Sequence, residues 1–172
     1  MKRVVITGPE STGKSWLTKN LAKHYDTVWV PEYARDYIAS LKREYTQNDI
    51  LYIAQQQLKL EQEQAQKANG LLFCDTSMLV TKIWSDFVFG SCPDWIEQQL
   101  DNHIYDLYLL CYIDTPWEED PLREHPNKRK TLFSIYENEL KQRDFPFEII
   151  TGLDTQRLNN AVHAIEKHFP DV

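Results

Sequence analysis

The segment Gly8-Pro9-Glu10-Ser11-Thr12-Gly13-Lys14-Ser15 places two glycines and a lysine–serine pair at the spacing G-x-x-x-x-G-K-[ST]. That pattern, the P-loop, cradles a polyphosphate. Gly8 and Gly13 permit backbone conformations and close approaches that a Cβ would block. The N–H groups between them turn inward as an anion nest, reinforced by the start of a helix. Lys14 supplies a positive charge for the β- and γ-phosphates, and the Ser15 hydroxyl is placed to ligate Mg²⁺. The whole run from Gly8 to Ser15 is therefore the candidate site for ATP and Mg²⁺.

Further polar groups stand where apolar runs stop. Asp75 closes Leu71-Leu72-Phe73-Cys74-Asp75. An acid there can hold Mg²⁺ or its water shell; it can equally cap the next helix. Asp114, after Leu109-Leu110-Cys111-Tyr112-Ile113, is a rival acid. In Pro31-Glu32-Tyr33-Ala34-Arg35, an acid and an arginine can orient a polar substrate and accept a hydroxyl proton. The alternative is a helix start with a glutamate at its positive end. The stretch from Trp117 to Lys130 is highly charged, poor in apolar residues and interrupted by Pro121 and Pro126. It reads as a solvated loop or as a lid whose cations close over a transferring phosphate. Arg123 leads those cations, with Arg129 and Lys128 behind it. Gly152 can let the backbone approach a base plane or simply form a turn. Trp84, Trp117, Tyr33 and Tyr52 are the candidates to stack on a flat ring.

These groups need a scaffold, and the apolar pattern predicts one. Strands are expected at Val4–Thr7, Thr27–Val30, Leu71–Asp75, Leu107–Asp114 and Phe147–Ile150; three are continuous apolar runs, as in strands covered on both faces. Helical spacing predicts helices at Lys14–His24, Glu32–Arg43, Thr46–Ala68, Thr76–Val88, Asp94–Asn102, Lys128–Arg143 and Asp154–His168. Thr46 and Asp49 form an N-terminal capping pattern, and Ile50, Ile53, Ala54 and Leu58 share the apolar face of the long Gln-rich helix. The alternation of strands with helices predicts a three-layer α/β fold with a five-stranded, mainly parallel sheet and ligands at the carboxyl ends of the strands.

At 172 residues the chain suits a single domain spanning 1–172, with a lid at about 117–130. Its net charge of −7 argues against general nucleic-acid binding. No run approaches a membrane span. With the phosphate loop starting at Gly8 there is no room for a removable leader, so the expected setting is cytoplasmic. Cys74, Cys92 and Cys111 lack metal-like spacing and read as free thiols.

Taken together, Gly8–Ser15 in the form G-x-E-S-[ST]-G-K-S, Glu32-Tyr33-Ala34-Arg35, Asp75-Thr76 and Trp117-x-x-Asp120-x-Leu122-Arg123 resemble the ribosylnicotinamide kinase domain of the bacterial NadR family. Order and spacing match over nearly the whole chain. The resemblance implies ATP-dependent phosphorylation of the 5′-hydroxyl of nicotinamide riboside, giving nicotinamide mononucleotide. It also implies a substrate site at the second and third strand ends, involving Glu32, Tyr33, Arg35, Asp75 and Trp117, and a lid after the fourth strand. The chain departs from the family pattern after the third strand, where Asp75-Thr76-Ser77 replaces an expected Asp-Thr-Asp. The expected catalytic set is Lys14, Glu32, Asp75 and Arg123, with Ser15 and Asp75 toward the metal and Gly152 toward the nucleotide. A small-molecule nucleoside is the expected partner. Rival readings are a kinase for another nucleoside or nucleotide, and a nucleotide-dependent regulator that hydrolyses ATP slowly. The oligomeric state is left open.

Overall fold

Five apolar runs form strands β1 (Lys2–Thr7), β2 (Trp29–Val30), β3 (Leu71–Asp75), β4 (Leu107–Cys111) and β5 (Phe147–Ile150). The computed structural model describes residues 1–102 and 105–171. All strand pairings among them are parallel, in the order β2-β3-β1-β4-β5. The helices are α1 (Lys14–His24), α2 (Tyr33–Ser40), α3 (Gln47–Ala65), α4 (Met78–Phe89), α5 (Asp94–Asp101), α6 (Arg129–Gln142) and α7 (Asp154–His168).

Alternate side chains of a strand point to opposite faces, so a continuously apolar strand needs cover on both. Val5, Leu72, Tyr108 and Leu110 pack with residues of α3, α4, α5 and α6. Val4, Ile6, Phe73 and Leu109 pack on the other face with residues of α1 and α7. The result is the expected three-layer α/β arrangement. Cys74 and Cys111 are buried and all three cysteines are free thiols. Among the described residues no helix is long and apolar enough to cross a membrane.

The element ends differ from expectation for local reasons. β4 stops at Cys111, not Asp114, because its neighbours end there: Leu110 pairs with Thr7 and Cys111 with Ile150. β2 loses Thr27 and Val28; the Thr27 hydroxyl bonds the Leu71 carbonyl at 2.7 Å in place of a ladder contact. α2 ends at Ser40, three residues short of Arg43. Arg43 instead turns back to the Asp49 carboxylate at 2.7 Å. Asp49 and Thr46 form the expected capping box of α3. α4 begins at Met78, after Thr76 takes a φ of +78°.

The buried face of α3 also differs. It carries Ile50, Ile53 and Ala54 as expected, then Gln57 and Glu61, while Leu58 is only half-buried. The steps 50, 54, 57 and 61 follow the 3.6-residue period more closely than 58 does. Glu61 is fully buried and accepts the Tyr105 hydroxyl at 2.7 Å, while its other oxygen has no partner. Burial pushes its pKa up to about 8, against weaker opposing effects of Tyr105 and Arg3. The folded chain therefore holds a proton that the unfolded chain releases near 4.5. Stability from this group is present below that value and is lost as pH rises through about 8. Thermal melts of Glu61→Gln, which keeps an acceptor for Tyr105, should lose the corresponding decline in melting temperature between those limits. An unchanged pH slope would show that Glu61 is not the group responsible.

Candidate active site

The phosphate loop is set by backbone geometry. Gly8 has a φ of +131°, and a Cβ there would lie 3.0 Å from the Cys111 carbonyl oxygen. Ser11 (φ 56°) and Gly13 (φ 75°) are left-handed, and α1 starts directly after Gly13. Such alternation turns successive N–H groups toward one point. The Thr12 hydroxyl and the Lys14 ammonium each donate to the Pro9 carbonyl at 2.8 Å, bracing the loop from within.

Arg157 braces it from beneath. This α7 residue is 1% exposed. Its guanidinium donates to the carbonyls of Thr12 (2.5 Å), Gly152 (2.7 Å) and Tyr112 (3.1 Å), and pairs with the Asp114 carboxylate. Asp114 also accepts the Gly152 N–H at 2.7 Å. The rival acid is thus occupied in joining the ends of β4 and β5. Gly152 (φ 93°) serves the same junction, and a Cβ there would meet the Gln156 side chain at 2.9 Å.

Two acids stand at the neighbouring strand ends. Asp75 is the last residue of β3, paired in register with Ile6 of β1, and only 4% exposed. One of its oxygens is buried without a partner, and the Ser15 hydroxyl hydrogen-bonds to the carboxylate. Burial pushes its pKa upward, opposed by Ser15 and by the charges of Lys14, Lys19 and Arg35. Glu32 sits in the turn after β2. Burial, then the like charge of Asp75, pushes its carboxyl up, while Lys14 and Arg35 pull it down. Gln57 fixes this turn from both sides. Its amide N–H donates to the Pro31 carbonyl at 3.1 Å, and its oxygen accepts the Tyr33 N–H at 2.8 Å. Thr76, a β-branched residue in the left-handed region, follows Asp75 and lines the same cleft. Such strain persists only where the surroundings impose it.

Residues 112–128 form no helix or strand. Their apolar content is low, and polar contacts dock them onto the phosphate loop. Ser11 is the hub: its hydroxyl accepts the Glu118 N–H at 2.9 Å and a guanidinium N–H of Arg123 at 3.4 Å, and its carbonyl accepts the Thr115 hydroxyl at 2.6 Å. Arg123 also donates to the Glu118 carbonyl. The Glu10 carboxylate accepts the backbone N–H groups of Glu124 (3.2 Å) and His125 (3.1 Å). Arg35 pairs with Asp120 at 2.9 Å. Arg129 holds the Thr115 carbonyl at 2.7 Å.

These parts surround one cleft of about 740 Å³. Gly8–Ser15, Glu32, Arg35 and Arg123 line it, as the sequence led one to expect. Asp75 lies just behind it, through Ser15. Tyr33 and Trp117 do not line it. Tyr33 stacks on Tyr37 at 6.0 Å, and the Trp117 indole N–H reaches Glu119 at 3.2 Å. Of the four proposed stacking residues only Trp84 faces the cleft, joined by Tyr45 and Phe87. Arg157, Gln57, Tyr45 and Phe87 were missed. For the first two a signal existed: Arg157 lies on the face of Ala161, Ala164 and Ile165, and Gln57 on that of Ile50, Ile53 and Ala54. A polar side chain on an apolar helix face has an internal partner to find.

The family model described as an AAA domain matches residues 3–157. The chain belongs to the AAA domain family. The match thus runs from β1 to the buried Arg157. The chain is 28% identical over 162 residues, 90% of its length, to the trifunctional NAD biosynthesis/regulator protein NadR of Salmonella typhimurium. It spans 39% of that relative's length. A crystal structure of NadR protein in complex with NR superposes with a TM-score of 0.81 at 22% identity, covering 99% of this chain and 52% of the other. Thymidylate kinase from Ehrlichia chaffeensis gives 0.63 at 14% identity, covering 96% and 97%. The fold of this AAA-family chain is therefore one shared with NadR and with a nucleotide kinase.

Proposed function

We propose that the chain is an ATP-dependent kinase of a single domain, 1–172, that phosphorylates the 5′-hydroxyl of nicotinamide riboside to nicotinamide mononucleotide. The observation that carries the reading is the convergence of Lys14, Glu32 and Arg123 on one cleft with an aromatic far end. The likeness to NadR supports the choice of acceptor.

Phosphoryl transfer asks mainly for positioning and charge stabilisation. The loop N–H groups and Lys14 hold the phosphates of ATP. Glu32 takes the proton from the acceptor hydroxyl as the oxygen bonds to the γ-phosphorus and the bond to the ADP oxygen breaks. It is preferred over Asp75 as base because it lines the cleft, whereas Asp75 is buried behind Ser15. The Ser15 hydroxyl and the unpartnered Asp75 oxygen are hard oxygen donors and fit Mg²⁺. When bound, the metal would offset charge on the phosphates. Residues 117–130 act as the lid, with Arg123 docked beside the loop to meet charge on the phosphoryl group. The reaction is assigned to the cytoplasm, where ATP is available and three free thiols persist.

A coupled ADP-release assay over a panel of nucleosides tests the reading. Nicotinamide riboside should outperform uridine and adenosine, and release should depend on the nucleoside. ATP turnover indifferent to every nucleoside would replace the kinase with a regulator. Preference for a different nucleoside would replace only the acceptor. Arg123→Ala should lower kcat by about 10²-fold, more than it weakens nucleoside binding, since its contact strengthens in the transition state.

A further inference from the structure

The acceptor end of the cleft has an unusual balance of polar groups. Tyr45, Trp84 and Phe87 form its aromatic wall. The polar edges of that wall are already used. The Trp84 indole N–H donates to the Tyr45 hydroxyl at 3.1 Å, which in turn donates to a carboxylate oxygen of Glu124 at 2.7 Å. The Phe87 ring meets the His125 ring edge-on at 4.9 Å. Burial pushes the Tyr45 hydroxyl up to about 12, so it stays a donor. The formal charges this chain delivers to the wall are thus the carboxylate of Glu124, whose side chain touches it, and that of Glu10 behind it, with the His125 imidazole 3.8 Å from Glu124. The nearby guanidinium groups are engaged elsewhere: Arg35 with Asp120, and Arg123 with Glu118 and Ser11.

A neutral base is recognised by free donors and acceptors along its edge. A cationic ring is recognised by π faces and a nearby anion. The wall offers the second kind of surface. We propose that Glu124, held in place by the Tyr45–Trp84 hydrogen-bond chain, selects the charge of the acceptor ring, favouring a ribosylated pyridinium cation over neutral or acidic analogues. This rests on the nucleoside-kinase reading and adds the residue that discriminates. Because Glu124 lies in the 112–128 segment, discrimination takes place when that segment is docked.

The test compares kcat/KM for nicotinamide riboside and nicotinic acid riboside, whose added carboxylate cancels the ring charge. Wild type should prefer the cation. Glu124→Gln should lower kcat/KM for the cation about tenfold, mainly through KM, and leave or improve that for the acid, as loss of one partly exposed charge contact implies. Tyr45→Phe, which frees Glu124 while keeping the ring, should shift the ratio in the same direction by less. A Glu124→Gln ratio within about twofold of wild type overturns the proposal while the kinase reading stands. If wild type phosphorylates neither riboside, both readings fall. If the variant melts early, Glu124→Asp replaces it: it retains the charge and should retain the preference.

Discussion

Lys14→Ala is expected to reduce phosphoryl transfer by about 10²-fold or more, in line with the loss of other preorganised charge stabilisers. The ammonium sits over the phosphate loop and donates to the Pro9 carbonyl at 2.8 Å. Removing it deletes a cation carried by the loop itself, while the Pro9 carbonyl still accepts the Thr12 hydroxyl. No buried group is orphaned, so the fold should survive. Initial rates of ADP release with nicotinamide riboside, together with a thermal melt, check both halves. Near-normal turnover by a folded variant would remove the phosphate-loop assignment. Lys14 also holds the Glu32 and Asp75 carboxyls down. Residual activity in the variant should therefore need a higher pH.

Glu32→Gln should cost about 10²- to 10⁴-fold in kcat, the usual span for a general base. ATP binding should be spared, because Glu32 stands at the end of β2 and not in the loop. The sign of the pH effect follows from burial and from Asp75, which raise the Glu32 pKa above its ordinary value. The ionised form is the base, so wild-type kcat should fall as pH drops through that raised value. Glu32→Gln should lose this acid limb along with its rate. A pH–rate profile of the variant that keeps the limb at near-normal kcat would pass the role to another group.

Much of this architecture was legible because its causes are local. A continuous apolar run such as Leu71–Cys74 reports burial on both faces, and the glycine spacing of the phosphate loop reports its backbone. Glu32 and Asp75 could be singled out as neighbours because a strand end is visible in sequence and, in a parallel sheet, strand ends meet. The groups that remained hidden depend on contacts between distant segments. Tyr45 looks like any loop aromatic until α4 brings Trp84 to its hydroxyl. Asp114 reads as a rival, though weaker, acid to Asp75 until Arg157 arrives from residues far along the chain. Trp117 and Tyr33 carry the right chemistry in the right neighbourhood, yet they turn toward Glu119 and Tyr37. Side-chain direction at a loop is decided by partners, and single-sequence spacing does not contain them.

The Arg157 contact with Thr12 joins residues 145 positions apart. During synthesis the phosphate loop leaves the ribosome well before α7, which carries its brace. Until α7 emerges, the Thr12 carbonyl and the junction of β4 with β5 lack their common cation. A nascent chain should thus display the whole Gly8–Ser15 sequence without its nucleotide affinity, acquiring it only once α7 has emerged. The first ATP would then meet a finished sheet.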